Sequence, residues 1–452
     1  MNRSSKRVID RVRKEKAQFL TLQLTDLLGR TRSRLFPAET ADSIMEDGFA
    51  FDGSSITGFM EISESDMVAR PDPATIKVLP WTSTNEKSLQ MTCDVYRPNG
   101  KPFEGDPRFI LRRAIDECKK MGFVPMIGPE EEFTLLNETN RQPVDYALYM
   151  DYEPYDPAEA FKMELLLVLR ELGLQPEVAH HEIGPGQNEI NIQYADALTS
   201  ADHLLLFKQA VKILAKKRGM IATFMAKPFF GYGAHGAHRH VSLQDVKSGR
   251  NLFFDKKAPK YLSKTARMFI GGILNHARAL SALAAPTVNS YKRLVPGLEA
   301  PIYLTWGWGN RSVLVKVPAY FPRSAGAARI EFRGTDSSSN PYLDFAGVLR
   351  AGLDGIKRSV DPGPDVSENV YHMSEERVRE LNIGLLPSSL HDALDDFKKD
   401  SLMRETLGEY AYSRYIQLKE AEWAEYQAEI GRTGDPGIQI SQWELNKYLL
   451  SS

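Results

Sequence analysis

Residues 177–194 read EVAHHEIGPGQNEINIQY, and the alternation inside them decides the fold. Successive side chains of a β-strand point to opposite faces, so His180 and Glu182 share one face of a strand. Beyond the Gly184-Pro185-Gly186 turn, Glu189, Asn191 and Gln193 share a face of the next strand. The same rhythm recurs outward from this hairpin. In GPEEEFTLL, residues 128–136, Glu130 and Glu132 lie on one face, roughly 7 Å apart at two rises of ~3.4 Å. In AHRHVSL, residues 237–243, His238, His240 and Ser242 alternate with Arg239, Val241 and Leu243. In ARIEFRG, residues 328–334, Arg329, Glu331 and Arg333 alternate with Ile330 and Phe332.

For a single strand such alternation marks a solvated face of an antiparallel sheet. Across several strands, polar sets rich in Glu, His and Arg and poor in Lys and Thr point instead to the inner face of a curved or barrel-like sheet. That face would gather Glu130, Glu132, Glu182, Glu189, Glu331 and His238. Converging so many carboxylates without counter-charge costs several kcal/mol per buried ion, on the order of magnitude that divalent cations are suited to offset. Five carboxylates with one imidazole suit Mg²⁺ or Mn²⁺, and metals beside several arginines suit phosphoryl transfer. No Walker A, kinase Gly-rich loop or Rossmann fingerprint is present, so a nucleotide would be held in some other way.

Before this region, Leu20, Leu22 and Leu24 alternate, as do Leu89, Met91, Cys93 and Val95, which predicts a small β-rich unit. RPNGKPFEGDP, residues 97–107, is the best domain boundary. Asp106 and Pro107 read as N-cap and first-turn proline of a helix through Ile110, Ala114, Ile115 and Cys118 that stops at Gly122. Helices are expected at 157–172, 199–218 and 261–283, with a mainly helical chain from about Ser374.

The 452 residues include 57 basic and 59 acidic ones, a formal charge of −2, which argues against electrostatic nucleic-acid binding. Two cysteines, Cys93 and Cys118, make neither a zinc spacing nor a disulfide framework, so a reducing cytoplasm is expected. No signal-like or membrane-spanning apolar run is seen.

Long, ordered segments resemble glutamine synthetase type I, in its shorter α form, across nearly the whole chain. They are FDGSSITGF (51–59), ESDM (64–67), GPEEEF (128–133), HHEIGPGQNEI (180–190), KPFFG (227–231), the HxHxSL core (238–243), PTVNSYKRLVPGLEAP (286–301), NRS (310–312) and RIEFRGTDSSSNPYL (329–343). The resemblance implies an α+β fold. An N-terminal β-grasp domain, residues 1–105, would precede a catalytic domain, residues 106–452, with a curved, mainly antiparallel, funnel-shaped sheet flanked by helices. It also implies a dodecamer of two hexameric rings with active sites between subunits. The implied reaction is ATP-dependent joining of glutamate and ammonia through γ-glutamyl phosphate, with two or three Mg²⁺ or Mn²⁺ ions per site.

By motif position, Glu132, Glu182 and Glu189 would hold one metal, and Glu130, His238 and Glu331 another. Arg311 and Arg333 would meet substrate or phosphate, and Arg293 the glutamate carboxylate; Ser55, Glu132 and Ala234 also fall at substrate positions. Glu177, Tyr194, His240, Ser242, Lys316 and Arg329 fall around the nucleotide. Asp52 and Glu299 occupy the positions that take a proton from ammonium, with Asp52 serving a neighbouring subunit. Read without the family, Asp52 would be an Asx-turn beside Gly53 and Glu299 a solvated loop charge. Small regulatory proteins are further candidate partners.

The chain departs from the family where KPxFGDNGSGMHCHQS becomes KPFFGYGAHGAHRHVS, with Tyr232, Gly233, Ala234, His235 and Arg239 all unusual. Gly309, Lys316 and Gly326 also replace expected basic residues, Lys316 keeping the charge without the arginine fork. Glu61 stands where α-type enzymes place an Arg for glutamine feedback, which predicts weak or absent feedback of that kind; Tyr371 reads as a packed or surface residue. The altered loop favours one alternative, a γ-glutamyl ligase acting on an organic amine or polyamine; a second, a catalytically weak regulatory paralogue, is opposed by the retention of all six metal-type residues.

Overall fold

The computed structural model describes residues 3–296, 300–319 and 324–452. An amphipathic helix, Arg3–Glu15, buries Val8, Ile9 and Val12 against the first of two sheets. That sheet contains β1 (Phe19–Thr25), β2 (Thr31–Pro37), β3 (Phe49–Asp52), β4 (Asp66–Pro71), β5 (Lys77–Val78) and β6 (Ser88–Tyr96), ordered β2-β1-β6-β4-β3, with β5 also on β6. β1 and β6 run parallel, matching Leu20 to Leu89 and Leu22 to Met91. The alternating leucines and Met91, Cys93 and Val95 all face the interior, as their spacing predicts.

Asp106 caps the helix Pro107–Lys120, accepting from Arg108 N at 3.0 Å, while its second oxygen accepts from Val95 N at 3.0 Å. One carboxylate therefore ties β6 to the helix that opens the next part of the chain. Gly122 follows at φ +83°, a left-handed stop that a residue with Cβ adopts only at a cost.

The second sheet has the order β13-β14-β15-β12-β7-β9-β8, from β7 (Phe123–Asn137), β8 (Pro176–His181), β9 (Gln187–Ile192), β12 (Arg239–Asp245), β13 (Trp306–Trp308), β14 (Val315–Val317) and β15 (Ile330–Phe332). The short β10 (Ala195–Asp196) and β11 (Met220–Thr223) add to β7. Every pairing in it is antiparallel except β13 with β14. Fold class and the curled sheet agree with expectation.

Register is what assembles the site. β7 sets Glu130 opposite Asn191 and Glu132 opposite Glu189 on β9, while His240 on β12 lies between Gly128 and Glu331 on its two neighbours. Directly opposed residues bring their Cβ atoms to about 5 Å, so the carboxylates converge before any side chain is positioned. The other face of β7 packs Phe133 and Leu135 into the main core. Behind it lie the helices Glu159–Glu171 and Ala197–Lys217, close to the expected spans. The helices Lys264–Ala284 and Pro341–Arg358 touch so closely that a Cβ at Gly272 would lie 2.1 Å from Ala351 O. From Glu375 onward the regular elements are helices, ending with Gln442–Tyr448. Among the described residues no helix is long and apolar enough to cross a membrane.

Candidate active site

One cleft of about 690 Å³ is lined by all six acidic and histidine residues singled out for metal: Glu130, Glu132, Glu182, Glu189, His238 and Glu331. Arg293, Arg311, Arg333, Lys316 and Ala234 line it too. A second cavity of about 250 Å³ shares Glu130 and Asn191 with the first and gathers Glu177, Tyr194, His240, Ser242 and Arg329. The expected metal and nucleotide residues thus form adjoining compartments, with Lys316 on the metal side.

The carboxylates of the cleft are held at a cost. Burial raises the Glu132 pKa well above the usual range, and Glu189 and Glu182 add to the shift. Burial likewise pushes Glu189 up to about 7, helped by Glu130. Glu132 Oε2 accepts from Gln187 Nε2 at 2.7 Å and Gly236 N at 2.9 Å. A Cβ at Gly236 would lie 3.1 Å from Glu132 Oε1 and 2.9 Å from His238 Cε1, so glycine lets both approach the same space. Burial would also raise the Glu331 pKa, but Arg333, His240 and Lys316 hold it down at about 2. Lys316 Nζ lies 2.6 Å from Glu331 Oε2, and Arg333 pairs with the other oxygen.

His240 on β12 and His238, just before it, differ in what they offer. Arg329 Nε donates to His240 Nδ1 at 3.0 Å, so the proton sits on His240 Nε2, which donates to Glu130 Oε1 at 2.7 Å. Both ring nitrogens of His240 are engaged, even though Glu130, His240 and Glu331 offer ligand atoms within 4.8 Å of one another. His238 Nδ1 is buried without a hydrogen-bond partner, and burial together with Arg333 and Arg293 drives its pKa well below 6.5. A neutral imidazole with a free lone pair, beside carboxylates that burial alone would neutralise, fits divalent-cation ligation. A second close group joins His180 to Glu182 and Glu189, with His180 Nε2 3.0 Å from Glu182 Oε1.

The residues of the altered loop separate in space. Tyr232, Gly233 and Ala234 line the cleft. Buried His235 bonds Thr134 Oγ1 at 2.6 Å, and burial pushes its pKa down to about 3. Arg239 points to the opposite side of β12, fully buried against Glu131 Oε1 at 2.6 Å and Asp344 Oδ2 at 2.7 Å. Its novelty belongs to the core. Gly309 adopts φ +65°, and Glu61 pairs with Arg414 at 2.5 Å.

Asp52 and Ser55 are not among the residues lining either cavity; Asp52 accepts from Ser54 N at 2.9 Å and Ser55 Oγ at 2.7 Å in an exposed turn. Those contacts, the Ser54 hydroxyl first, hold its carboxyl below the usual range. Glu299 lies outside the described residues. Among the lining residues to which sequence reasoning gave no role are Gln187, Lys227 and Tyr149. Extending the alternation of Glu189 and Asn191 back two residues would have found Gln187, and Lys227 opens the KPFFG motif, whereas nothing local marks Tyr149.

A small mixed sheet beside a curled sheet that gathers carboxylates, an unpaired imidazole and guanidinium groups defines a metal-dependent enzyme of phosphoryl chemistry. Comparison with known proteins narrows that class. The family described as "Glutamine synthetase, catalytic domain" matches residues 104–435, and "Glutamine synthetase, beta-Grasp domain" matches residues 16–98. The glutamine synthetase of Thermotoga maritima is 42% identical, with 98% of each chain covered. That of Methanosarcina mazei is 42% identical over 98% of this chain and 97% of the relative. A solved structure, "GmaS/ADP complex-Conformation 1", superposes with a TM-score of 0.85 at 32% identity, covering 97% of this chain and 98% of that one. The chain belongs to the glutamine synthetase family: it is a ligase of that kind, using ATP and a divalent metal.

Proposed function

We propose that this cleft joins ammonia to the side-chain carboxylate of glutamate through γ-glutamyl phosphate, with the residue roles that follow. The observation that carries the proposal is the meeting of all six metal-type residues with Arg293, Arg311 and Arg333 in one cleft. Glu132, Glu182 and Glu189, and Glu130, His238 and Glu331, would hold two or three divalent ions, Mg²⁺ or Mn²⁺, which when bound would supply positive charge beside the phosphate. Glu177, Tyr194, His240, Ser242 and Arg329 shape the neighbouring nucleotide cavity. Arg293 binds the glutamate carboxylate, and Ala234 reaches the substrate through its backbone.

Arg333 and Arg311 neutralise charge as a γ-carboxylate oxygen attacks the γ-phosphorus and ADP leaves. Lys316 and Arg333 occupy Glu331 until ligands arrive. Asp52 from a neighbouring subunit, with Glu299, accepts the proton that ammonium must lose before its nitrogen attacks the acyl carbon. Phosphate departs with the former carboxylate oxygen. The exposed position of Asp52, away from the cleft of its own chain, supports sharing between subunits, and with it a dodecamer of two hexameric rings. The boundary near residue 105 then divides the part that completes a neighbour's site from the part that carries the metals; the two family matches ending at residue 98 and starting at residue 104 support it. A cytoplasmic setting suits the two buried free thiols.

Glutamate labelled with ¹⁸O in the γ-carboxylate tests the intermediate. Label should appear in inorganic phosphate; phosphate carrying none would rule out γ-glutamyl phosphate. A second reading, an organic amine in place of ammonia, is favoured by Tyr232, Gly233 and Ala234 lining the cleft.

A further inference from the structure

The helix Gln442–Tyr448 stands outside the cleft, yet one of its side chains reaches two residues that adjoin the cleft wall, Asn289 and Lys292. Glu444 is fully buried. Its Oε1 accepts from Asn289 Nδ2 at 2.9 Å, and its Oε2 pairs with Lys292 Nζ at 2.9 Å. Ser441 N and Oγ also donate to Oε2, each at 2.8 Å, forming the cap of the helix. Asn289 is buried as well and brackets the backbone of one residue of the loop. Its Oδ1 accepts from Lys227 N at 2.7 Å, and its Nδ2 donates to Lys227 O at 3.0 Å. Lys227 Nζ in turn donates to Tyr232 O at 2.7 Å, tying the head of the altered loop to its tip. Lys292 immediately precedes Arg293, which lines the cleft and donates to Arg333 O at 3.1 Å.

We infer that Glu444 is a positioning residue for the amino-acid end of the cleft, holding the 227–234 loop through Asn289 and Arg293 through Lys292. The inference rests on the reading of Arg293 as the glutamate-carboxylate ligand. Simple attachment of the helix does not require this carboxylate. Tyr448 and Leu449 already pack with Leu136 and Met225, and Tyr448 Oη donates to Glu422 Oε1 at 2.7 Å independently of Glu444. A buried carboxylate facing donors on two separate segments fixes their relative placement, because moving either leaves a charge or an amide unpaired. Small displacements of a substrate-positioning group cost large factors in rate or affinity.

The test is steady-state kinetics on the full-length enzyme carrying Glu444→Gln, which can keep the Asn289 contact while losing the charge opposite Lys292. The expected result is a rise of roughly tenfold in KM for glutamate with KM for ATP unchanged. Ser441→Ala, which removes one hydroxyl donor from Glu444 and weakens the helix cap but leaves the carboxylate facing Asn289 and Lys292, should lower Tm without moving KM for glutamate. If Glu444→Gln behaves like Ser441→Ala, the residue is a staple and the inference is overturned. Arg293→Lys, measured in parallel, separates the two layers. An unchanged glutamate KM there removes the reading of Arg293, and the inference with it. A raised KM in Arg293→Lys beside a normal one in Glu444→Gln removes the positioning role alone. Should Glu444→Gln not fold, Lys292→Met carries the same test, with the same rise expected and an unchanged KM contradicting it.

Discussion

Neighbouring residues at the start of β12 and just before it show how one position decides between chemistry and packing. His238 keeps an unpartnered ring nitrogen near the carboxylates, His240 spends both nitrogens on Arg329 and Glu130, and Arg239 between them is directed into the core. Arg239 also donates to Ser339 Oγ at 3.1 Å, completing its pairing with Glu131 and Asp344. Replacing it with methionine leaves buried Asp344 without its cation and Glu131 with only Lys208, 3.9 Å away. The expected loss is about 3–5 kcal/mol of stability, read as a fall in denaturant midpoint; unaltered stability with an altered glutamate KM would place Arg239 in the substrate pocket instead. Period-two alternation made the separation of Glu131 from Glu130 and Glu132 legible, and it placed Arg239 off the polar face. The occupation of His240 was not legible, because it depends on which strands flank β12. Nor was Gln187's grip on Glu132, which crosses 55 residues of sequence.

Among the elements, the strands and the capped helix at Pro107 were readable because their signals are local: alternation, an Asp before a Pro, a glycine at the stop. Contacts between helices were not. His276, on the helix Lys264–Ala284, joins two others: its Nδ1 lies 2.6 Å from Asp400 Oδ2, and its Nε2 lies 3.0 Å from Asp354 Oδ2. Asp354 is shared with Arg358 at 2.9 Å, and Asn275 Nδ2 lies 3.4 Å from His276 Nε2. Burial opposes protonation of His276, but the hydrogen bonds to Asp400 and Asp354 outweigh it and raise the pKa above 6.5. A raised folded-state pKa contributes stability that is fully present below the unfolded value and is lost as pH rises through the folded value. The Tm advantage over His276→Gln should therefore be larger near about pH 6 than about pH 9. An advantage independent of pH would show that the imidazolium does not hold these helices together.

For the whole molecule, the family motifs conveyed the two modules and the curled sheet, because they occur in both parts of the chain and those of the second sheet, such as GPEEEF and HHEIGPGQNEI, carry cleft-lining residues. The altered loop could be seen as altered, but only the folded chain separates Tyr232, Gly233 and Ala234 in the cleft from His235 outside it. The proposed sharing of each site between subunits makes a prediction of its own. Asp52→Ala and Glu331→Ala should each be deficient in glutamine synthesis alone. Co-expression should recover activity at about a quarter of the sites, those pairing the intact half of each variant, given random mixing of chains. No recovery in hybrid particles of confirmed mixed composition would mean that Asp52 does not serve a neighbour.

The central claim concerns the nucleophile that the cleft accepts, and phosphate release addresses it most directly. With ATP, Mg²⁺ and glutamate supplied, ammonium is compared with a panel of primary amines and polyamines. The account predicts turnover with ammonium and formation of glutamine; turnover with an organic amine but not with ammonium would contradict it.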